Sequence, residues 1–510
     1  MAKYFSNHTI LFLVFFSLLS CDKTYIQKEV IRFTIATEPP TLDPNLATDS
    51  VSHFLISNLQ CGLTRYDTKT FSAKPCIAES WSLEGTKVVF KIRKDAYWSD
   101  GVKVTAYDFV RSWRRLLDPK TGAEYAYFLY IVKGAYEFNT GKKEYLEGIT
   151  AQDENTLIVY TTKKVVFLPA MVSFMVTYPI REDIIQNCGE KWTEPDCYPE
   201  SGPFILKEWK HEYKVILEPN PHWFGEKPKV KRVELYVVSD PSTALNLYKT
   251  GFIDAVGLFS LAIRKFKDHP EFIKSPGLRG YYIGFNIQKL NEVNLRRALA
   301  YATSKEAIIN AIGGIQMPAK SWIPPGMLAH NPDIGIPFDL HKAKEELSKS
   351  KQIPQGLKLY FSHSPETRKI AEVIKENWRK IGVDVELESM EWKTYLSRLV
   401  QEKFPIFLLG WGADFPDPHN FMDLFLSDSG NNHTGFANKV YDELIEKASE
   451  ESDVDKRIQM YNVAQKILLE EEVAIIPTFW GVSARLKRKN LKIEYNPLEI
   501  VYLDEIEFVN

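Results

Sequence analysis

One short stretch combines groups able to receive a ligand: Gly410-Trp411-Gly412-Ala413-Asp414-Phe415-Pro416-Asp417-Pro418. It follows the apolar run Phe404-Pro405-Ile406-Phe407-Leu408-Leu409, which reads as a strand leaving a core. Two prolines then stop the strand from continuing. Such a strand delivers a Trp, two glycines and an acid to a mouth. An acid held beside an aromatic wall is a receptor for a positive group. Asp414 also has plainer readings. It can bond nearby backbone N–H groups as a turn former before Pro416. With Asp417 and His419 it spells Asp-x-x-Asp-x-His, but the intervening proline and the lack of further ligands argue against a metal. The chain has no Gly-x-Ser-x-Gly elbow, no His-Glu-x-x-His and no phosphate-cradling Gly-x-x-x-x-Gly-Lys, and its ten histidines fall in no motif. Neither an enzyme, such as a secreted hydrolase, nor a cofactor is expected.

The elements that must position this stretch belong to a long chain. Its 510 residues are too many for one ordinary core, so two or three domains are expected. A net charge of −2, with no basic tract, argues against nucleic acid as a partner. An aromatic share of 13% suits large cores or an aromatic-lined cleft. At the N-terminus, Lys3 and the apolar run at residues 10–19 read as an export signal, too short to span a bilayer. The run ends at Leu18-Leu19-Ser20-Cys21, which resembles a bacterial lipobox. Residues 1–20 are then a lipoprotein signal peptide, Cys21 is the lipidated first residue, and residues 22–29 form a polar tether. The mature chain is expected outside the cytoplasm, held to a membrane by lipid. Four further cysteines, Cys61, Cys76, Cys188 and Cys197, are an even number for an oxidising compartment. They allow three pairings, of which the local one (Cys61 with Cys76, Cys188 with Cys197) is preferred. Their spacing does not suit zinc.

Periodicity predicts strands at residues 30–37, 88–92, 156–161, 204–208, 214–218 and 233–238. A helix over 106–117 is capped by Thr105, with Asp108 in its first turn. From about Gly280 the texture becomes regular α/β alternation. Strands are predicted at 281–287, 357–361, 383–389, 404–409 and 473–478, and helices at 295–302, 305–312, 366–381, 392–401, 440–450 and 456–471. The fold class is α/β.

Four blocks in this order now identify a resemblance: Glu38-Pro39-Pro40-Thr41-Leu42-Asp43-Pro44; Trp98-Ser99-Asp100-Gly101 with Thr105-Ala106-Tyr107-Asp108-Phe109-Val110; Ser201-Gly202-Pro203-Phe204; and Gly284-Phe285-Asn286 with Leu295-Arg296-Arg297-Ala298-Leu299. The chain resembles the extracytoplasmic solute-binding proteins of oligopeptide and dipeptide ABC importers. The resemblance implies a two-lobed periplasmic-binding-protein fold (type II, hinge-closing) with an additional domain on the first lobe. Domain I would comprise 22–60, 183–278 and 483–510, domain II, the additional one, 61–182, and domain III, the second lobe, 279–482. It implies a monomer whose partners are short peptides, the importer's membrane permease subunits and, through the lipid, a membrane. The same fold with another solute (a nickel chelate, haem or a sugar) is the alternative.

In that family an acid in a Trp-x-Ala-Asp stretch meets the peptide's ammonium. Here the stretch is Trp411-Gly412-Ala413-Asp414. The resemblance also implies a pocket-lining Trp392, Tyr125 lent by domain II, and Phe479 and Trp480 at the hinge side of the cleft. Three positions depart from the pattern. An expected Arg is Leu408, an expected Glu is Thr48 with Asp49 beside it, and an expected His is Thr367 beside Arg368. Arg368 or Arg398 is left to replace the basic residues that hold peptide C-termini.

Overall fold

The computed structural model describes residues 29–509 except 69 and 71, with the side chains of 260 and 261 also set aside. The signal peptide, Cys21 and nearly all of the tether lie outside the described residues. Among those residues no helix is long and apolar enough to cross a membrane. The period-two runs fold into three sheets of four or more strands. In the first, Val30–Ile35, Arg232–Val237, Lys214–Pro219 and Phe204–Lys210 stand side by side in that order. Alternation sends Ile31, Phe33 and Ile35 into the core and leaves Val30–Ile35 at the sheet's edge. The next helix, Ser50–Leu59, is capped by Asp49, whose carboxylate accepts from the Val51 and Ser52 N–H groups at 2.9 Å each.

The second sheet orders Ala78–Glu84, Lys87–Ile92, Thr156–Tyr160 and Ile149–Asp153. Helix Ala106–Leu117 packs against it, started by Asp108, which accepts from the Thr105 N–H at 2.8 Å. Cys61 is bonded to Cys76 and Cys188 to Cys197.

The third sheet places the stretch around Asp414. Its strand order is Ala255–Leu258, Ile475–Lys487, Phe272–Phe285, Ile406–Gly412, Lys358–Ser362 and Glu386–Met390, with Met317–Pro318 beside Ile475–Lys487. Helices Pro365–Arg379 and Trp392–Glu402 connect its parallel portion. Three strands run further than periodicity predicts. Phe272–Phe285 starts nine residues before 281, because the Pro276-Gly277 dipeptide is absorbed as a bulge. Ile475–Lys487 continues through Phe479-Trp480, and Ile406–Gly412 continues through both glycines. Gly410 is needed in that ladder, since a Cβ there would stand 2.9 Å from the Tyr281 ring.

The expected domain boundaries at 278–279 and 482–483 thus fall inside two continuous strands. The two pair as Pro276 with Val482 and then Gly280 with Trp480, so three residues on one strand face only Gly481 on the other. The lobes also meet at a second place. Phe415, beside Asp414, is buried against Phe128 and stacked on Phe167 at 5.5 Å, both from the 61–182 segment. Val166 N–H donates to Ser449 O at 3.1 Å and Lys164 Nζ to Ser452 Oγ at 2.8 Å.

The loop after Asp414 is fixed by one buried ion pair. Arg457 donates to both Asp417 oxygens, at 2.8 and 2.7 Å, and its Nε donates to Ala448 O at 2.8 Å. Replacing Arg457 with Leu leaves the Asp417 charge buried without a partner, and the expected cost is roughly 3–5 kcal/mol. The double variant Asp417→Asn/Arg457→Leu should lose less than Arg457→Leu alone. Thermal unfolding of the three proteins checks both statements.

Candidate ligand-binding cleft

Strand Ile406–Gly412 is paired along one edge for its whole length, from Ile406 with Phe285 to Gly412 with Arg279. Its other edge is paired only at Ile406 and Phe407, by Leu359 and Tyr360. From 408 to 412 no strand among the described residues covers that edge. Beside it opens a pocket of about 330 Å³. Trp392, half exposed at the start of its helix, forms one wall, and Thr367 and Ser362 another. Thr367 is held by its hydroxyl, which donates to Ser362 O at 2.6 Å. Tyr395 donates its hydroxyl to Leu408 O at 2.6 Å and so ties down the strand where its neighbour ends.

Past the end of this edge stands Asp414. Its N–H donates to Asn420 Oδ1 at 2.9 Å, and Trp411 Nε1 reaches the same oxygen at 3.4 Å. Among the described residues no Lys or Arg forms an ion pair with Asp414. Burial pushes its carboxyl up to about 6, and a hydrogen bond from the Asn420 side chain works against the rise. Across from it are Tyr125 and Tyr127, stacked at 5.7 Å. Burial raises both phenols, and the charge of Asp414 raises them further, Tyr125 to about 12. Asp423 is pushed up to about 7 by burial, then by Asp414 and Asp417. Asp414 and Asp423 therefore lie close together with no Lys or Arg ion pair to either among the described residues.

A second pocket, about 250 Å³, adjoins the first and shares Arg279, Tyr281 and Phe479 with it. Arg279 donates to Glu499 at 3.0 Å, and Glu499 also accepts from the Ser483 hydroxyl. Arg485 lines the same pocket, its guanidinium 4.3 Å from the Tyr495 ring centroid and donating to Ser275 Oγ at 2.9 Å. Beyond it a third pocket, about 400 Å³, reaches Phe33, Thr34 and Ile35 on the edge strand of the first sheet.

The residues singled out from sequence separate into groups. Trp411, Gly412, Trp392 and Phe479 line the first pocket, Phe479 stacked on Tyr281 at 4.6 Å. Ala413 and Asp414 continue from its rim, with Tyr125 facing Asp414. Trp480 is not brought to the cleft. It is 2% exposed and packs on Trp322 and Phe421 in the core of the second lobe. Thr48 is exposed and lines no pocket, while Asp49 is occupied in capping. Arg368 pairs with Glu372 at 3.1 Å and Arg398 with Glu402 at 2.6 Å, and neither lines the three pockets described above. Asp417 is engaged with Arg457, and His419 is buried neutral against Phe167, its ring pushed down to about 3 by burial. No group of three metal-ligating side chains exists among the described residues. Arg279, Arg485 and Glu499 are the cleft residues that sequence reasoning missed; an arginine one residue before Gly280-Tyr281 was the available signal.

The profile of the bacterial extracellular solute-binding proteins, family 5 Middle, matches residues 72–433. The oligopeptide-binding protein OppA of Bacillus subtilis (strain 168) is 32% identical over 492 residues, covering 91% of this chain and 90% of its own. Among solved structures, the unliganded open form of the periplasmic murein tripeptide-binding protein MppA gives a TM-score of 0.85 at 29% identity, over 95% of this chain and 98% of that one. The Haemophilus influenzae OppA complex with the peptide RPPGFSPFR gives 0.74 at 26% identity, over 95% and 99%.

An acid whose folded pKa is raised stabilises the fold only while it stays protonated. Below the pKa of the unfolded chain, about 3.9, Asp414 is neutral in both states. Between there and about 6 the unfolded chain ionises it first, so stability falls as pH rises through that window. Asp414→Asn is therefore expected to raise the melting temperature of the ligand-free protein at pH 7. The gain should shrink to nothing as pH is lowered to 4, which paired melting curves will show.

Proposed function

The chain belongs to family 5 of the bacterial extracellular solute-binding proteins, and on that premise we propose that it captures short peptides between its two lobes and delivers them to the permease of an ABC importer. The single observation that carries the reading is the strand edge at 408–412, bare among the described residues, which ends at an acid that pairs with no Lys or Arg of those residues. An extended peptide can add itself to such an edge, so that its own N–H and C=O groups complete the ladder. This mode asks little of the side chains. The Trp392 wall and the pocket of about 330 Å³ leave room for varied residues.

The peptide's α-ammonium is placed on Asp414. An ammonium enclosed between lobes loses its water and must be paired. The Asp414 carboxylate supplies the compensating charge, and Tyr125 and Trp411 close the sides. Hinge closure about the paired strands Phe272–Phe285 and Ile475–Lys487 buries the ligand and presents both lobes to the permease. Cys21 carries the lipid that keeps the loaded protein near that permease.

Mass spectrometry of ligand carried through purification should return a ladder of intact short peptides. Asp414→Asn should weaken binding of peptides with a free N-terminus by roughly 3–5 kcal/mol, as for a buried charge left alone. Acetylated peptides should lose far less, and equal losses in calorimetry would remove Asp414 from this role. Because the ammonium needs the ionised acid, affinity should be greatest near pH 7 and should decline above about 8, where the free peptide's α-amino group, of pKa about 7.7–8.0, loses its proton. Below about 6 it should fall, by up to about tenfold per pH unit. Cys21→Ser should shift the protein from the membrane fraction to the soluble one.

A further inference from the structure

The Arg279 side chain lies across a floor made by two glycines. A Cβ on Gly481 would stand 3.4 Å from the Arg279 Cβ, and a Cβ on Gly412 would stand 3.7 Å from its Nε. Any longer side chain at 412 would take the space the guanidinium occupies. The slot exists because residues 277–279 bulge opposite Gly481. Its far end is closed by Glu499, which holds an unusual position. Its backbone is left-handed, φ 60°, in a turn fastened by its own N–H to Asn496 O at 2.9 Å. Glu499 is thereby presented to Arg279, but the pair is wet, with the side chains 51% and 29% exposed. An ion pair in water is worth little, so its carboxylate is readily exchanged for another. Arg485, in the same pocket, has no carboxylate within ion-pair distance among the described residues and adds positive charge nearby.

Register places this arginine against the ligand. Arg279 pairs directly with Gly412, and directly opposed residues project to the same face of a sheet. A peptide strand added along 408–412 lies one strand spacing further out, roughly 10 Å from the Arg279 backbone. Gly412, lying between them, contributes no side chain, so the guanidinium can reach over it to whatever the ligand presents. Asp414 is two residues beyond Gly412, so the position reached is near the ligand's α-amino end.

Resting on the peptide reading above, we propose that Arg279 is a carboxylate-recognising residue of the cleft. It exchanges Glu499 for a carboxylate of the bound peptide, within about three residues of the α-ammonium held by Asp414. That carboxylate is either an acidic side chain near the N-terminus or the C-terminal carboxylate of a very short ligand. The resulting preference is for small acidic peptides, set by a residue outside the edge that pairs the ligand backbone.

Calorimetry with two ligand sets tests this. The first is an alanine tetrapeptide amide carrying Glu or Gln at position 1, 2 or 3. The second is di- and trialanine as free acid or amide. Arg279→Gln is expected to weaken at least one carboxylate ligand by about tenfold to hundredfold, the strength of a charge-assisted hydrogen bond, and to leave its amide counterpart unchanged. Glu499→Gln should tighten the same ligand, a gain that a misfolded variant cannot produce. A Glu-over-Gln effect assigns the subsite to a side chain, and an acid-over-amide effect assigns it to the C-terminus. If Arg279→Gln affects carboxylate and amide ligands equally, or neither, while the wild-type protein binds them, the proposal is overturned and the peptide reading stands. If the wild-type protein binds none of them, both fall together.

Discussion

A mismatch of strand lengths governs the cleft. Ile406–Gly412 has seven residues, while its parallel neighbour Lys358–Ser362 has five and pairs with it at only two positions. The neighbour then leaves the sheet, because Ser364 caps helix Pro365–Arg379, accepting from the Thr367 N–H at 3.0 Å, and Pro365 fits the helix's first position. Backbone N–H and C=O groups need partners, and an uncovered edge invites another chain to supply them. Here that invitation sits inside a cleft. Trp392 and Thr367 come from the two helices that flank the gap, so the helix starts create the edge and furnish its walls.

The charges beside that edge follow one rule with two outcomes. Asp417 and Asp414 are three residues apart and both lose water. Asp417 gains two hydrogen bonds from Arg457. Asp414 gains only a hydrogen bond from the Asn420 side chain, which does not offset its burial, so its charged form is disfavoured. The buried pair fixes the loop that carries the lone acid. Below about pH 6 a proton neutralises that acid. The same neighbourhood thus holds one aspartate fixed by an arginine and one that, among the described residues, has no Lys or Arg ion pair.

What was readable from sequence was what local chemistry determines. The acid after a Trp at the end of an apolar strand, the Thr105 cap with Asp108, and the α/β alternation beyond Gly280 each depend on neighbours within a few residues. Trp480 and Phe479 are neighbours in sequence but part in the fold. Alternation along a strand sends the two to opposite faces, one onto Tyr281 at the pocket and the other among Trp322 and Phe421. Arg368 parts from Thr367 for the corresponding helical reason, since Thr367 faces the pocket and the arginine turns outward to Glu372. Arg279 escaped notice because its setting is non-local. The Pro276-Gly277 dipeptide looks like a strand end, and only pairing with a strand two hundred residues later turns it into a bulge.

Where the lobes touch limits how they can move. The third sheet's long strands, Phe272–Phe285 and Ile475–Lys487, join them at one end of the cleft. At the other, Phe415 and His419 stack on Phe167, with Phe128 and the Val166–Ser449 hydrogen bond beside them. Breaking that aromatic cluster would return several large side chains to water, at roughly 1.5–3 kcal/mol each. Rotation about a line through both contacts is the motion that spares it. Such a rotation carries the first sheet's edge strand, Val30–Ile35, toward residues 408–412 while Tyr125 and Asp414 keep their distance. The end of the cleft that holds the acid is then assembled before any ligand arrives. On the peptide reading proposed above, closure assembles the remainder, so a ligand anchored at Asp414 first profits from the rest.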